Sequence, residues 1–198
     1  MRWKMAMSVN EFISKLNLAL NSKTIYVLGC FGAPLNATNK KRYTSNNSYN
    51  KGRAAMINAC SADTFGFDCV CLIKGILWGW NADASKTYGG AVYCSNGVPD
   101  IGAQEMGNRV LNKSSDMSDI DVGEYLYMQG HCGIYVGDGY VIECSPKWEN
   151  KVQKTAIWDR PWEFHGYLPY VDYTDESGSD KYEKALRDIK SIIDEVIK

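Results

Sequence analysis

The feature that most constrains the fold is a run from Cys69 to Trp80 in which almost every residue is apolar. A helix of this composition is hydrophobic on nearly all sides, so it must be buried inside a larger domain. Asp68 stands directly before the run and is well placed to cap the helix. With 198 residues, of which 45% are hydrophobic, the chain is long and apolar enough to surround it. The run therefore predicts one core built around a buried helix.

The charge balance narrows the range of partners. The chain has 22 Lys and Arg against 23 Asp and Glu, so it lacks the basic excess that binds nucleic acid. No apolar run reaches the ~20 residues that a membrane span needs. The first residues lead into a polar segment with no apolar signal sequence. We therefore expect a protein that binds neither nucleic acid nor membrane and is cytoplasmic when made.

The cysteines do not suggest a disulfide framework or a metal centre. They number seven, an odd count, and no signal sequence precedes them. Cys69 and Cys71 are close together, but structural zinc is typically held by matched Cys-x-x-Cys pairs. We expect most cysteines to be buried as small apolar residues and no metal to be bound. His131 and His165 are the two histidines available for acid–base chemistry.

Helices are predicted mainly in the first half of the chain. Ser8 and Glu11 have the spacing of a capping box, and the apolar residues after them predict a helix over about 9–20. Residues 36–52 are rich in Asn, Ser, Thr and Lys and are predicted to form a long polar loop. A short helix is expected over 53–60.

Strands are predicted in the second half. Residues 124–128, 131–136 and 140–144 are apolar stretches separated by glycine turns, which is typical of an antiparallel meander. Residues 167–171 are expected to add an edge strand, since Pro169 suits an edge. Helices followed by a meander predict an α+β fold.

The composition changes after Tyr173. Residues 174–180 have the character of a linker, and apolar residues then recur at helical spacing up to Val196. We expect residues 1–173 to form the folded domain and residues 174–198 to form a linker and an amphipathic helix. The helix could dock on the domain or lead to another domain. A short coiled coil that mediates self-association is the weaker alternative.

A cysteine at a helix start, followed by a meander with a single histidine, suggests nucleophilic chemistry. The free N–H groups and dipole of a helix N-terminus stabilise a thiolate, and an imidazole can take the thiol proton. Cys69 follows the Asp68 cap, whereas Cys71 lies about 200° further round the helix. Taken singly, a cysteine at a helix start and a histidine in a strand are more often structural. Gly133 shares a strand face with His131 and would leave room there for a substrate backbone.

Four segments resemble the NlpC-type peptidoglycan cysteine peptidases. Residues 67–73 (FDCVCLI) are similar to the nucleophile motif FDCSGLV, and residues 131–139 (HCGIYVGDG) to the base motif HVGIYIGNG. Residues 122–127 (VGEYLY) resemble the strand PGDLVF, and residues 25–29 (IYVLG) resemble PYVWG. The match covers about residues 9–172, and the longer pattern is most similar to the catalytic domain of phage endolysins. Two departures stand out: Val-Cys replaces Ser-Gly after the nucleophile, and Glu143 stands where the family often has His.

The resemblance implies a papain-like α+β fold and a mechanism without metal or organic cofactor. Cys69 would be the nucleophile, His131 the base, and Glu143 the third residue that orients the imidazole. The Cys69 N–H and the Tyr26 hydroxyl would stabilise the oxyanion. Asp68 and Gly133 would also border the bound substrate, and His165 would be structural.

The implied activity is hydrolysis of peptidoglycan stem peptides on the cell wall after release, most commonly next to γ-D-glutamate. The open alternatives are an N-acetylmuramoyl-L-alanine amidase, an amidase or acyltransferase that acts on something other than cell wall, and a degenerate module that binds wall peptide without cutting it. A binding module would need none of the chemistry of Cys69, His131 and Glu143.

The third residue depends on the register of a hairpin. A loop of two residues places Glu143 opposite Ile134, on the sheet face away from His131. A loop of three residues, 137–139, places Glu143 opposite Gly133 and on the same face as His131. We predict the three-residue loop.

Overall fold

The computed structural model describes residues 6–174 and Ile189. Six helices are present in this part of the chain: α1 (Val9–Asn21), α2 (Ala37–Ser45), α3 (Ser48–Gly52), α4 (Ala54–Ala59), α5 (Cys69–Leu77) and α6 (Ala103–Asn108). A short 3₁₀ turn is formed by Ile157–Asp159. Of these helices, none is long and apolar enough to cross a membrane.

Eleven strands accompany these helices within the described residues. They are β1 (Met7–Ser8), β2 (Thr24–Tyr26), β3 (Phe31–Pro34), β4 (Phe65–Phe67), β5 (Leu111–Ser114), β6 (Tyr125–Met128), β7 (His131–Gly137), β8 (Tyr140–Ser145), β9 (Lys151–Ala156), β10 (Phe164–Tyr167) and β11 (Val171–Asp172). The main sheet is antiparallel, in the order β5-β10-β6-β7-β8-β9. Two small sheets join β2-β4-β3 and β1-β11.

Helix α5 lies at the centre of the domain, and all of its residues are buried. It shares one hydrophobic cluster with the inward face of β7 and β8, which contributes Cys132, Ile134, Ile142 and Cys144. Lys74 is the one charged residue of this helix, and its ammonium group pairs with Asp100. The predicted α+β class, with a buried helix packed on an antiparallel meander, is confirmed.

Ser8 caps the start of α1, because the Glu11 N–H donates to the Ser8 hydroxyl at 3.2 Å. The polar loop predicted over 36–52 is wrong, since α2 and α3 lie there. Each begins at an asparagine whose side chain accepts a backbone N–H, Asn36 for α2 and Asn47 for α3. The asparagines thus act as helix caps, although the same residue type is typical of loops.

The edge strand predicted over 167–171 is wrong as well. β10 ends at Tyr167 and lies inside the sheet between β5 and β6, while β11 pairs with β1. The true edges are β5 and β9, which were not predicted. The predicted linker and helix lie outside the described residues, apart from Thr174 and Ile189.

Candidate active site

The start of α5 is fixed by two hydrogen bonds to the Asp68 carboxylate. One oxygen accepts the Cys71 N–H and the other accepts the Gly29 N–H, both at 2.7 Å. Burial raises the pKa of Asp68 to about 6, and these two N–H groups oppose the shift. Asp68 borders the cleft, but both of its oxygens hold backbone. The residue therefore ties the loop before β3 to the first turn of α5.

We expect Asp68→Ala to lower the free energy of unfolding by about 2–3 kcal/mol, because it removes a buried helix cap and also leaves the partly buried Gly29 N–H without its acceptor. Urea unfolding followed by circular dichroism measures this change. Asn36→Ala is the matched control, since it removes the exposed cap of α2 and should cost about 1 kcal/mol. Equal losses in the two variants would contradict the conclusion that both hydrogen bonds of Asp68 contribute to stability.

Cys69 is the first residue of α5 and lines a cleft of about 1330 Å³. Its side chain is largely buried among apolar residues of the core. A hydrogen bond from the Cys132 thiol is the main cause that lowers the pKa of Cys69 to about 5; burial opposes it, and His131 adds to it. At neutral pH the sulfur is therefore a thiolate at the edge of a cleft.

His131 opens β7 and lies between Cys69 and Glu143. Its Nε2 hydrogen-bonds the Glu143 carboxylate, and its imidazole also hydrogen-bonds the Cys69 thiol. Burial acts to lower the pKa of His131, but its interactions with Cys69 and Glu143 outweigh burial and raise it. These three side chains therefore form a continuous Cys–His–Glu arrangement.

The hairpin between β7 and β8 aligns Glu143 with His131 in an unexpected way. The loop has two residues, Asp138 and Gly139, with φ of +54° and +78° as a type I′ turn requires. The predicted three-residue loop is wrong. Val136 bulges out of the ladder, so Ile134 pairs with Ile142. The bulge restores the expected alignment, in which the next residue, Glu143, faces Gly133.

The Glu143 carboxylate is fully buried and is held by more than one donor besides His131. Thr155 Oγ1 on β9 donates to Oε1 at 2.8 Å. Arg160 donates from Nε to Oε1 at 3.1 Å, and its Nη2 lies 2.7 Å from Oε2. Burial would raise the pKa of Glu143, but the His131 and Arg160 hydrogen bonds outweigh it and lower the pKa. Glu143 is therefore ionised at neutral pH.

Sequence reasoning missed three residues around this arrangement: Thr155, Arg160 and Trp162. The Trp162 ring stacks on the His131 imidazole, with centroids 5.8 Å apart and planes 20° apart. These residues lie on β9 or after it, in a segment with weak alternation of apolar and polar residues. The adjacent Arg-Pro-Trp-Glu sequence at 160–163 was the available signal, because it combines a cation with an aromatic ring near the end of the domain.

Tyr26 ends β2 and lines the same cleft as Cys69. Burial, followed by the nearby Cys69, raises the pKa of its hydroxyl, which stays protonated and able to donate. Tyr49 packs edge-on against the ring at 6.1 Å, and the Arg53 guanidinium lies 5.4 Å from its centroid. Both residues belong to the helical segment that was predicted as a loop or short helix.

Gly133 does not open space for a substrate. A Cβ atom there would lie 2.5 Å from Val141 Cγ1 and 3.4 Å from Glu143 Cβ. Gly133 is instead required because the side chains of β8 fill the sheet face beside it. The expectation of a substrate contact at Gly133 is therefore wrong.

His165 lies apart from this arrangement, whereas Cys71 lines the same cleft as Cys69. His165 Nδ1 is 2.7 Å from Glu124 Oε2, and its Nε2 is 3.0 Å from Asp119 Oδ1. These bonds tie β10 to the loop that precedes β6. Burial raises the pKa of Cys71 well above the ordinary value, so this thiol stays protonated.

Comparisons with known proteins identify similar folds only among solved structures. No family model and no curated protein matches the sequence. The peptidoglycan hydrolase RipB from Mycobacterium tuberculosis is 18% identical with a TM-score of 0.47, over 82% of this chain and 65% of RipB. NlpC2 from Trichomonas vaginalis is 17% identical with a TM-score of 0.42, over 86% of this chain and 50% of NlpC2. This chain therefore spans less than two thirds of either protein.

Proposed function

We propose that this chain is a cysteine hydrolase that cleaves an amide bond in the stem peptides of bacterial peptidoglycan. The observation that carries the proposal is the continuous arrangement of Cys69, His131 and Glu143 at a cleft. A lowered thiol pKa, a histidine in contact with that thiol and a buried carboxylate behind the histidine are what acyl transfer to sulfur requires. A module that only binds wall peptide would need no ionised thiol, which disfavours that alternative.

The reaction begins with attack of the Cys69 thiolate on the amide carbonyl, which forms a carbon–sulfur bond. The Cys69 N–H and the Tyr26 hydroxyl are the candidate donors to the oxyanion. His131 then gives its proton to the leaving amine as the carbon–nitrogen bond breaks. Glu143 stabilises the imidazolium before this transfer and keeps the ring oriented.

Water completes the cycle. His131, now neutral, takes a proton from water as the oxygen attacks the thioester, and the carbon–sulfur bond breaks. The products are a carboxylic acid and the regenerated thiolate–imidazolium pair. In these steps Cys69 is the nucleophile, His131 is both acid and base, and Glu143 stabilises and orients His131.

The sequence resemblance favours the bond next to γ-D-glutamate and an endolysin-like role on the cell wall after release. The muramoyl–L-alanine amide is the alternative bond, since the same thioester chemistry would cleave it. The two bonds differ in their products: the first yields two peptide fragments, and the second separates an intact peptide from the glycan.

Digestion of purified peptidoglycan, with mass spectrometry of the released fragments, tests the proposal. We expect new fragments that end in D-glutamate, together with falling turbidity of a Gram-positive wall suspension. Cys69→Ala should release nothing, and Cys94→Ala, at an exposed free cysteine, should match the unmodified protein. Free stem peptides with an intact L-alanine terminus would instead identify the activity as that of an N-acetylmuramoyl-L-alanine amidase. No fragments from walls of different cross-link types would overturn the proposed substrate.

A further inference from the structure

Arg160 is a buried cation against the carboxylate behind His131. Its side chain is 9% exposed, whereas the Glu143 side chain is fully buried. The guanidinium meets both carboxylate oxygens, through Nε at 3.1 Å and Nη2 at 2.7 Å. This two-point contact fixes the plane of the carboxylate, which a single point charge cannot do.

The position of Arg160 is itself set by its neighbours. Nη2 also donates to Ser145 Oγ at 2.8 Å, and the Trp148 ring lies 4.5 Å from the guanidinium carbon. The 3₁₀ turn before Arg160 is tied to the β7–β8 hairpin, because the Ile157 N–H donates to the Gly139 carbonyl at 2.8 Å. Arg160 is therefore presented to Glu143 by the same hairpin that sets the register of β8.

The charges in contact with Glu143 point in the same direction. The Glu143 side chain is fully buried, and the Arg160 guanidinium is the permanently charged group that pairs with its carboxylate. Without Arg160, this buried negative charge would depend on His131 alone for a compensating cation, which is costly at low dielectric.

We propose that Arg160 is a positioning residue for the hydrolysis, which holds the Glu143 carboxylate ionised and in the orientation that accepts the His131 Nε2–H. The inference rests on the proposed function. Arg160 acts through Glu143 and touches neither the thiol nor the imidazole in the described contacts. Among the described residues, the charged groups in hydrogen-bonding contact with Glu143 are Arg160 and His131.

The test compares Arg160→Met and Arg160→Lys with Arg109→Met, an exposed arginine whose partner is Glu105 on the surface. We expect Arg160→Met to lower kcat/KM on peptidoglycan on the order of ten- to a hundredfold. Loss of the guanidinium removes a cause that lowers the pKa of Glu143, so the acid limb of the pH–rate profile should move to higher pH. Arg160→Lys keeps the positive charge but loses the two-point contact. Its acid limb should therefore lie near that of the unmodified protein, while its kcat/KM should stay reduced.

Two further measurements separate positioning from structure. In a Glu143→Gln background, Arg160→Met should cause no further loss of rate and no further shift of the acid limb. The reason is that Arg160 acts on the reaction only by way of the Glu143 carboxylate. Alkylation of Cys69 by iodoacetamide across pH reads the same site without any wall substrate. A shifted alkylation profile with no wall cleavage would keep the positioning role and discard the proposed substrate.

The inference is overturned if folded Arg160→Met has an unchanged profile, or if it loses the same factor in the Glu143→Gln background. If Arg160→Met alone does not fold, the double variant with Glu143→Gln removes both charges together. That double variant should then equal Glu143→Gln in both rate and alkylation profile, and any further loss would contradict the proposal.

Discussion

Replacing Cys69 with serine should reduce hydrolysis of peptidoglycan by about four orders of magnitude or more while the fold is retained. The thiol at this position is ionised at neutral pH, whereas a serine hydroxyl in the same place is not, so the nucleophile is lost without a change of shape. Initial rates of fragment release measure the loss, and thermal unfolding establishes that the variant is folded.

Cys71→Ser is the matched control, since it makes the same change two residues along the same helix. It should retain much of the activity. Iodoacetamide at mildly acidic pH should label Cys69, whose pKa is lowered to about 5, and spare Cys71, whose pKa is raised well above the ordinary value. Peptide mapping that finds the label on Cys71 and not on Cys69 would exclude Cys69 as the nucleophile.

Replacing His131 with alanine should cost several orders of magnitude in kcat/KM, because the site loses the proton acceptor of the thiol and the acid for the leaving amine. The alkylation rate of Cys69 at mildly acidic pH should fall as well, since His131 is one cause of the low pKa of Cys69. Both changes are measured against pH on the same preparation.

His165→Ala is the control for this prediction, and its effect should fall on stability instead. Hydrogen bonds to Asp116 and Glu124 raise the pKa of His165 in spite of its burial. A raised folded-state pKa gives stability that is present below the ordinary pKa of ~6.5 and is lost as pH rises through the folded value. A loss of rate equal to that of His131→Ala in a folded His165→Ala protein would contradict these assignments.

The helices and strands that were predicted correctly are those whose local sequence pattern matches their burial in the fold. Helix α5 is apolar throughout because it is buried throughout, and Asp68 caps it as expected. The strands β6, β7 and β8 were found from apolar stretches between glycine turns. Cys69 and His131 were selected as candidates from a cysteine at a helix start followed by a strand histidine, and Glu143 from the resemblance to the NlpC-type peptidases.

What the sequence did not predict depends on long-range contacts. β10 pairs with β5, which lies about fifty residues earlier in the chain, and with β6, which lies about forty residues earlier, and no local pattern specifies either pairing. Arg160 and Trp162 reach the site only because β9 returns along β8 and a 3₁₀ turn then redirects the chain. Asn36 and Asn47 have the same local signal whether they cap helices or occupy a loop, so the helices of that segment are decided by packing.

Because of the bulge at Val136, the presence of Cys69, His131 and Glu143 in a sequence does not by itself bring Glu143 to His131. If Val136 instead paired with Val141 in a continuous ladder, Ile134 would lie opposite Glu143, and Glu143 would turn to the face of the sheet away from His131. Cys69, His131 and Glu143 would all remain in the chain, so an inventory of catalytic residues would still count all three. Deletion of Val136 would have no such effect, because Gly137 would then follow Tyr135 directly and Gly133 would stay opposite Glu143. The strand register of this hairpin should accordingly be compared together with residue identity when homologues of this chain are sorted into active and inactive proteins.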